Sequence, residues 1–326
     1  MGPMISWTNA SFTDQGATED FYLDMEIGTD TSDNGNNTFS VQLPDDIRIA
    51  AGSAVYIDDG RYGGLVQKRI SNSAVEGILQ WEGRTWEGVL ADRVLVPDAG
   101  QAYNTASGTD KQCITDLLAR LGVTDLFEAG DGTGTAISYQ YPRYPDGFTA
   151  LVKMLASKGL RPTFYVDTSD STAKVVVDSV AIATLGEVAD ADLADVEICA
   201  DLDPYNHAIG LGQGEGVNRT VLHRYADSSG NVSTTKSITG MLERVIRYEN
   251  VNDDAEALAE DLEDFLKDLQ GQGTVEVDIS DEAEAALCDK VTAYDSRVNA
   301  SVTVPITKQV VKVEGGIMTV SCEAAE

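Results

Sequence analysis

Apolar and polar positions alternate through the first hundred residues, change period near Pro97, and return to alternation after residue 219. Early on, FYLDMEI (21–27) alternates in part. NTFSVQLP (37–44) sets Phe39, Val41 and Leu43 on one face of a strand and stops at Pro44. SAVYIDDGRYGGLVQKRI (53–70) and AVEGILQWEGR (74–84) continue the pattern, with Asp59-Gly60 as a hairpin turn. Short elements with glycine corners predict a small barrel or sandwich.

The middle of the chain reads differently. In DKQCITDLLARLG (110–122), Ile114, Leu117, Leu118 and Leu121 form one helical stripe, with Asp110 as the expected cap and Gly122 as the stop. A second helix is predicted in 146–159, with Phe148, Leu151, Val152 and Leu155 inward, and strands follow at 161–167 and 173–182. This order predicts a compact α/β unit. Beyond it, RTVLHRYAD (219–227) is a strand with a turn at Ser229-Gly230, and 240–250 fits either element type. DDAEALAEDLEDFLKDLQG (253–271) is a helix with Leu258, Leu262, Phe265 and Leu269 as its apolar stripe. The segments 273–280 and 289–322 are strands, and Gly315-Gly316 turns the last pair.

The expected fold class is therefore α+β, mainly β and multidomain. An N-terminal β domain (1–100) and a C-terminal β domain (201–326), the latter with the acidic helix near 253–270, flank an α/β middle domain (101–200).

Composition narrows the function. The formal charge is −31, from 54 acids and 23 bases, and no run of bases reaches three. Such a surface repels nucleic acid, so gripping a phosphate backbone is disfavoured, while an acidic wall past which DNA slides is compatible. Between Glu249 and Asp289 there are 15 acids and one base, Lys267. Cys113, Cys199, Cys288 and Cys322 lie too far apart in sequence for a metal knuckle and read as reduced thiols. Neither a signal peptide nor a membrane span is expected.

Candidate chemistry is sparse. The glycines of GLGQGEG (210–216) alternate instead of following G-x-G-x-x-G. Glu215 would oppose a phosphate, and a strand rather than a helix follows, so a close backbone approach is the better account. The two histidines, His207 and His223, match no metal motif. A calcium-like run with Asp30, Asn34 and Gly35 lacks its closing glutamate, with Val41 in that place. Asp201 and Asp203 share a strand face if their segment is extended, as an acidic hydrolase could use, but DLDPYN runs straight into a Pro204 turn, where such clusters usually cap or solvate a loop. Trp81, Trp86, Tyr139, Tyr141 and Tyr144 could line a carbohydrate- or receptor-binding groove, or pack a core. No catalytic residue, cofactor or metal is assigned, and the absence of an active-site motif shifts weight towards a structural protein.

Four segments in order carry a family resemblance. WEGRTWEGVLADRVLVPDAG (81–100) resembles siphophage tail-hub, or tail-associated baseplate, proteins, in which a Gly-Arg strand leads to a Leu-x-x-Arg strand and a proline turn. The matching residues are Gly83, Arg84, Leu90, Arg93 and Pro97. NHAIGLGQGEGVNRTVLHRYADSSG (206–230) is similar to the central signature through Asn206, Gly212, Gly214, Glu215, Arg219 and Tyr225. Residues 140–164 fit the middle domain. Residues 288–316 resemble the final barrel strands, with Cys288 where a Gly-Asp-x-Val turn has glycine. The resemblance spans roughly residues 20–322.

It implies a homotrimer, similar to the hub of myophage baseplates, whose two β-barrel-like tube domains per copy form a pseudo-sixfold ring. It also implies contacts with the distal tail protein and the tape-measure protein, a separate fibre or tip protein, and passage of DNA without specific binding. The expected location is the virion tail, assembled in the bacterial host cytoplasm.

Overall fold

In this computed structural model the described residues are 2–31, 36–71, 76–169, 172–188, 194–200, 204–250, 255–270, 273–279, 285–295 and 300–324. The fold is α+β, rich in sheet and poor in helix. The chain divides into two compact units, one of residues 1–196 with 276–325 and one of residues 197–275.

Unit 1 is built on a long, mainly antiparallel sheet. Nine of its strands run antiparallel in the spatial order Ile317–Ala324, Ala300–Glu314, Tyr22–Gly28, Thr38–Pro44, Ile78–Thr85, Tyr62–Ile70, Ala54–Ile57, Ile5–Thr8, Asp14–Thr18, and Lys290–Asp295 pairs with Ala300–Glu314 on one side and, in parallel, with Thr184–Val188 on the other. Leu23 through Gly28 pair with Val313 through Lys308, so early and late segments share one sheet. The expected period-two alternation is present: Phe39, Val41 and Leu43 are buried between half-exposed Thr38, Ser40 and Pro44 and exposed Gln42. Both expected turns form. Ile57 pairs with Tyr62 around Gly60, which has φ +81°. Glu314 pairs with Ile317 around Gly315 and Gly316, both left-handed, as a tight hairpin demands.

The α/β layer of unit 1 contains three helices. Helix α1 (Trp86–Ala91) corrects the sequence reading, which ran a strand through Leu90 and Arg93. Thr85 caps it, its side chain accepting from Gly88 N at 3.2 Å, and beyond it only an isolated bridge joins Val94 to Asp146. Helix α2 (Asp110–Leu121) buries the expected stripe and ends at left-handed Gly122. Its cap is Thr109, not Asp110: Thr109 and Gln112 exchange side-chain and backbone hydrogen bonds in a capping box. Helix α3 (Gly147–Ala156) is capped by Asp146 and buries Phe148, Leu151 and Leu155, while Val152 is half-buried. Both helices pack towards a sheet of Leu160–Asp167, Lys174–Ala181 and Phe127–Ala129.

Unit 2 is a two-layer arrangement. Its sheet has the order Val232–Ser233, Val221–Ala226, His207–Leu211, Val245–Glu249. Residues 240–250, open between types in the sequence, form a short 3-10 turn (Gly240–Leu242) and then the last strand. Helix α4 (Ala255–Asp268) lies on one face through Leu258, Leu262 and Leu266, all fully buried, and Phe265 and Leu269 sit at its margin. Gly210 is the point of contact: a Cβ there would stand 2.8 Å from Leu262 Cδ2. The glycine run thus begins where backbone passes under a helix.

Candidate functional site

The residues singled out by resemblance fall into two groups, one in each unit, and most of them tie neighbouring segments together. In unit 1, Gly83 and Gly64 face each other's strands. A Cβ on Gly83 would meet the Leu65 carbonyl oxygen at 1.9 Å, one on Gly64 the Arg84 oxygen at 2.1 Å, and the Phe39 ring lies against both. Arg84 follows with its guanidinium mostly buried, donating to the Asn36 carbonyl at 3.0 Å and pairing with Asp92 at 3.0 Å beyond α1. The Arg93 side chain is exposed, and its carbonyl accepts from Gly147 N at 2.7 Å. Pro97 is held in a bracket: Asn104 donates to the Val96 carbonyl and accepts from Asp98 N, at 2.9 and 3.0 Å.

In unit 2 the signature segment is a hairpin clamped at both ends. Asn206 donates to the Leu242 carbonyl at 2.7 Å and accepts from Arg244 N at 3.0 Å. At the far end, Arg219 pairs with Glu249 at 2.5 Å and donates to the Gly212 carbonyl at 3.2 Å, which holds the Glu249 carboxyl below its ordinary range. Gly214, at φ +96°, has no room for a Cβ, which would sit 2.5 Å from the Asn218 oxygen. Glu215 is exposed. Tyr225 lies 4.5 Å from the His207 ring, centroid to centroid.

The sheet face away from α4 carries His207, Ile209, Leu211, Val221, His223, Tyr225, Val245 and Arg247 in register. Pairing of Ile209 with His223 and of His207 with Tyr225 makes the two histidines diagonal neighbours. Their ring nitrogens meet at 2.8 Å. Spacing in the sequence hides this contact because it depends on hairpin register.

Three acids in unit 1 depart from ordinary behaviour or position. Burial drives the Asp110 carboxyl up, but hydrogen bonds from Thr133, Ser179 and the Thr133 and Lys111 amides outweigh it and hold the pKa at about 2. Far from capping a helix, Asp110 knots α2 to the 132–135 loop and the 174–181 strand. Glu87 in α1 is 6% exposed, and its Oε2 has no hydrogen-bond partner among the described residues. It borders a cavity of about 30 Å³ with Arg61, Arg161, Phe148, Phe164 and Leu287, and burial raises its pKa to about 7. Asp289, next to Cys288, accepts from Arg161 at 2.7 Å and Ala183 N at 2.8 Å. Cys288 itself has φ +71°, a conformation that favours the glycine expected there, and burial pushes its thiol up to about 12.

The rival sites fare poorly. Trp81 and Trp86 are core residues: Trp86 is fully buried, donates to the Gly60 carbonyl at 3.0 Å and meets Phe127 edge-on. Tyr141 is buried as well, leaving Tyr144 exposed and Tyr139 half-buried, so these rings form no groove. Asp201 and Asp203, and Asn34 and Gly35 of the calcium-like run, lie outside the described residues. Among the described residues no three His, Cys, Asp or Glu side chains gather to hold a metal, and no helix is long and apolar enough to cross a membrane. Cys113 and Cys322 are buried, Cys322 accepting from Gln309 Nε2 at 3.3 Å, and Cys288 is half-buried; none of the three is in a disulfide.

No family model and no curated protein matches the sequence. Solved structures do. A tail protein from Neisseria meningitidis MC58 is 16% identical with a TM-score of 0.52, the match covering 100% of this chain and 97% of that one. The 43 kDa tail protein of prophage MuSo2 from Shewanella oneidensis is 11% identical with a TM-score of 0.54, covering 98% of each chain. A chain of the p2 virion baseplate in its activated conformation is 12% identical with a TM-score of 0.52, covering 99% of this chain and 98% of that one. The chain thus has the fold of phage tail and baseplate proteins. Identities this low establish a shared fold and nothing finer.

Proposed function

We propose that this chain is a structural protein of a phage or prophage tail, the hub at the base of the tail tube. The observation that carries the reading is the match of its whole length, rather than one domain, to tail and baseplate chains of similar size. In this reading three copies close into a ring, each supplying two barrel-like tube domains from its β-rich ends and an α/β middle domain. The ring extends the tube between the distal tail protein and the tape-measure protein, and a fibre or tip protein completes it.

Charge fits a conduit. Glu256, Glu260, Asp264 and Asp268 line the outer side of α4 with Lys267 the one base among them, and acids of this kind on a lumen wall let duplex DNA pass without adhering. The device works mechanically, by assembly and passage.

Light scattering on a sizing column tests the reading. A mass near 104 kDa, three times 34.8 kDa, together with rings showing a central hole in electron micrographs, is the expected result. A 34.8 kDa species at every concentration, with no incorporation into tails when the other tail proteins are supplied, would overturn it.

A further inference from the structure

Residues 92–98 and 142–146 of unit 1 run side by side as a short antiparallel ladder. Val94 bridges Asp146, Leu95 N donates to the Pro145 carbonyl at 2.9 Å, and Gly147 N to that of Arg93 at 2.7 Å. Leu95 and Pro145 are buried on its inner side. Val94, Val96 and Tyr144 are exposed on the outer side, and a bond from Tyr141 N to the Asn104 carbonyl at 3.0 Å brings exposed Tyr103 alongside. Single exposed apolar residues are ordinary, but four large ones gathered on one pinned ladder mark a surface made for contact.

The backbone of Tyr144 points the same way. Its φ of +56° lies in the left-handed region that favours glycine, and Pro145 follows directly, which pushes the residue before it towards extended backbone. The ring is exposed all the same, with the Arg143 guanidinium over it at 5.4 Å from the centroid. The ladder thus presents an aromatic ring to solvent from a strained backbone, and strain of this kind gathers at binding sites. Tyrosine and arginine are also the side chains that most often anchor protein interfaces.

Charge selects the occupant. Of the acids in the two segments, Asp92 pairs with Arg84, Asp98 pairs with Arg120, and Asp146 accepts from Thr149 N and Thr31 Oγ1. Arg93 and Arg143 are exposed, and neither has a carboxylate within ion-pair distance among the described residues. The patch is therefore cationic on a chain of formal charge −31. Two copies meeting through this same patch would set arginine against arginine, which disfavours a symmetric pairing. With 54 acids to 23 bases, the rest of a second copy supplies the opposite charge. Contact between two unlike surfaces is the kind that closes into rings.

We infer that Val94, Val96, Tyr103 and Tyr144, with Arg93 and Arg143, seat a second copy of this chain through a different, acid-bearing surface of that copy. The inference rests on the ring reading and names the surface through which the ring closes.

Light scattering of the full chain and two variants tests it. Tyr144→Gly removes the ring and suits the left-handed backbone; Arg143→Glu reverses a charge whose one neighbour is the Tyr144 ring. Wild type is expected near 104 kDa, three times 34.8 kDa, and each variant should need about tenfold or more protein to assemble to the same degree. Urea unfolding, at a dilution where neither protein associates, should place the Tyr144→Gly midpoint at or above that of wild type. Both variants assembling like wild type would overturn the inference and leave the ring reading standing, the patch then taking another tail protein or a glycan. Wild type at 34.8 kDa at every concentration would overturn it too, and incorporation into tails then decides the ring reading separately. Arg143→Glu keeps the test decisive if Tyr144→Gly folds poorly.

Discussion

Glu87→Gln isolates the cost of a single buried charge. The Glu87 carboxyl sits inside unit 1 with one oxygen lacking a partner among the described residues, and burial moves its pKa from 4.5 to about 7. Each unit corresponds to 1.36 kcal/mol, so ionising the folded protein costs about 3 kcal/mol. The sign follows from the direction. The folded value lies above the unfolded one, so stability is complete below about pH 4.5, falls as pH rises, and levels off past about pH 7. Glutamine has no charge to lose, so its curve lacks this fall. All three tryptophans, Trp7, Trp81 and Trp86, lie in unit 1, so urea unfolding followed by tryptophan fluorescence reports that unit alone. At pH 8 the variant should exceed wild type by about 3 kcal/mol relative to their difference at pH 4.5. The histidine pair is common to both proteins and cancels in the subtraction. A difference that stays flat within about 1 kcal/mol from pH 4.5 to 8 would refute the placement of Glu87 as an unrelieved buried acid.

Asp110→Asn should cost about 2 kcal/mol at pH 7, the worth of a carboxyl shifted from 3.8 to about 2. Because that pKa is depressed, the gap to wild type should close as pH falls from 4 towards 2, as urea curves at each pH will show. Gly83→Ala drives a methyl into the Leu65 carbonyl and should destabilise unit 1 by about 3 kcal/mol or more, read as a lowered urea midpoint. Trp86→Ala should cost about 3–5 kcal/mol of stability with no selective loss of glycan retention; a variant of native stability that lost a glycan would restore the groove reading.

What the sequence revealed and what it concealed divide along physical lines. The stripes of α2, α3 and α4 were legible because each helix spans at least ten residues and buries one face. Helix α1 was not: six residues make too little of a stripe, and the glycine within WEGVLA speaks against helix. Its start depends on Thr85 as cap. An Asp before an apolar run usually caps a helix, which is what the sequence suggests for Asp110, yet Thr109 with Gln112 supplies a better box and frees the carboxylate for the loop. The histidine pair, the burial of Glu87 and the pairing of Tyr22–Gly28 with Ala300–Glu314 all depend on register between distant segments, which no local pattern encodes.

That last pairing has a consequence for how the molecule is made. Once Thr38–Pro44 has joined one edge of Tyr22–Gly28, its other edge must wait for Lys308 through Val313. At about 5–20 residues synthesised per second the wait is roughly 15–60 s, during which a strand containing Leu23, Met25 and Ile27 keeps an unsatisfied hydrogen-bonding edge. Several chains growing on one messenger would bring such edges close together. Correct production of this protein therefore turns on keeping nascent neighbours apart until the late strand is synthesised, and slowing the ribosome within the last third of the message should lower soluble yield more than slowing it within the first.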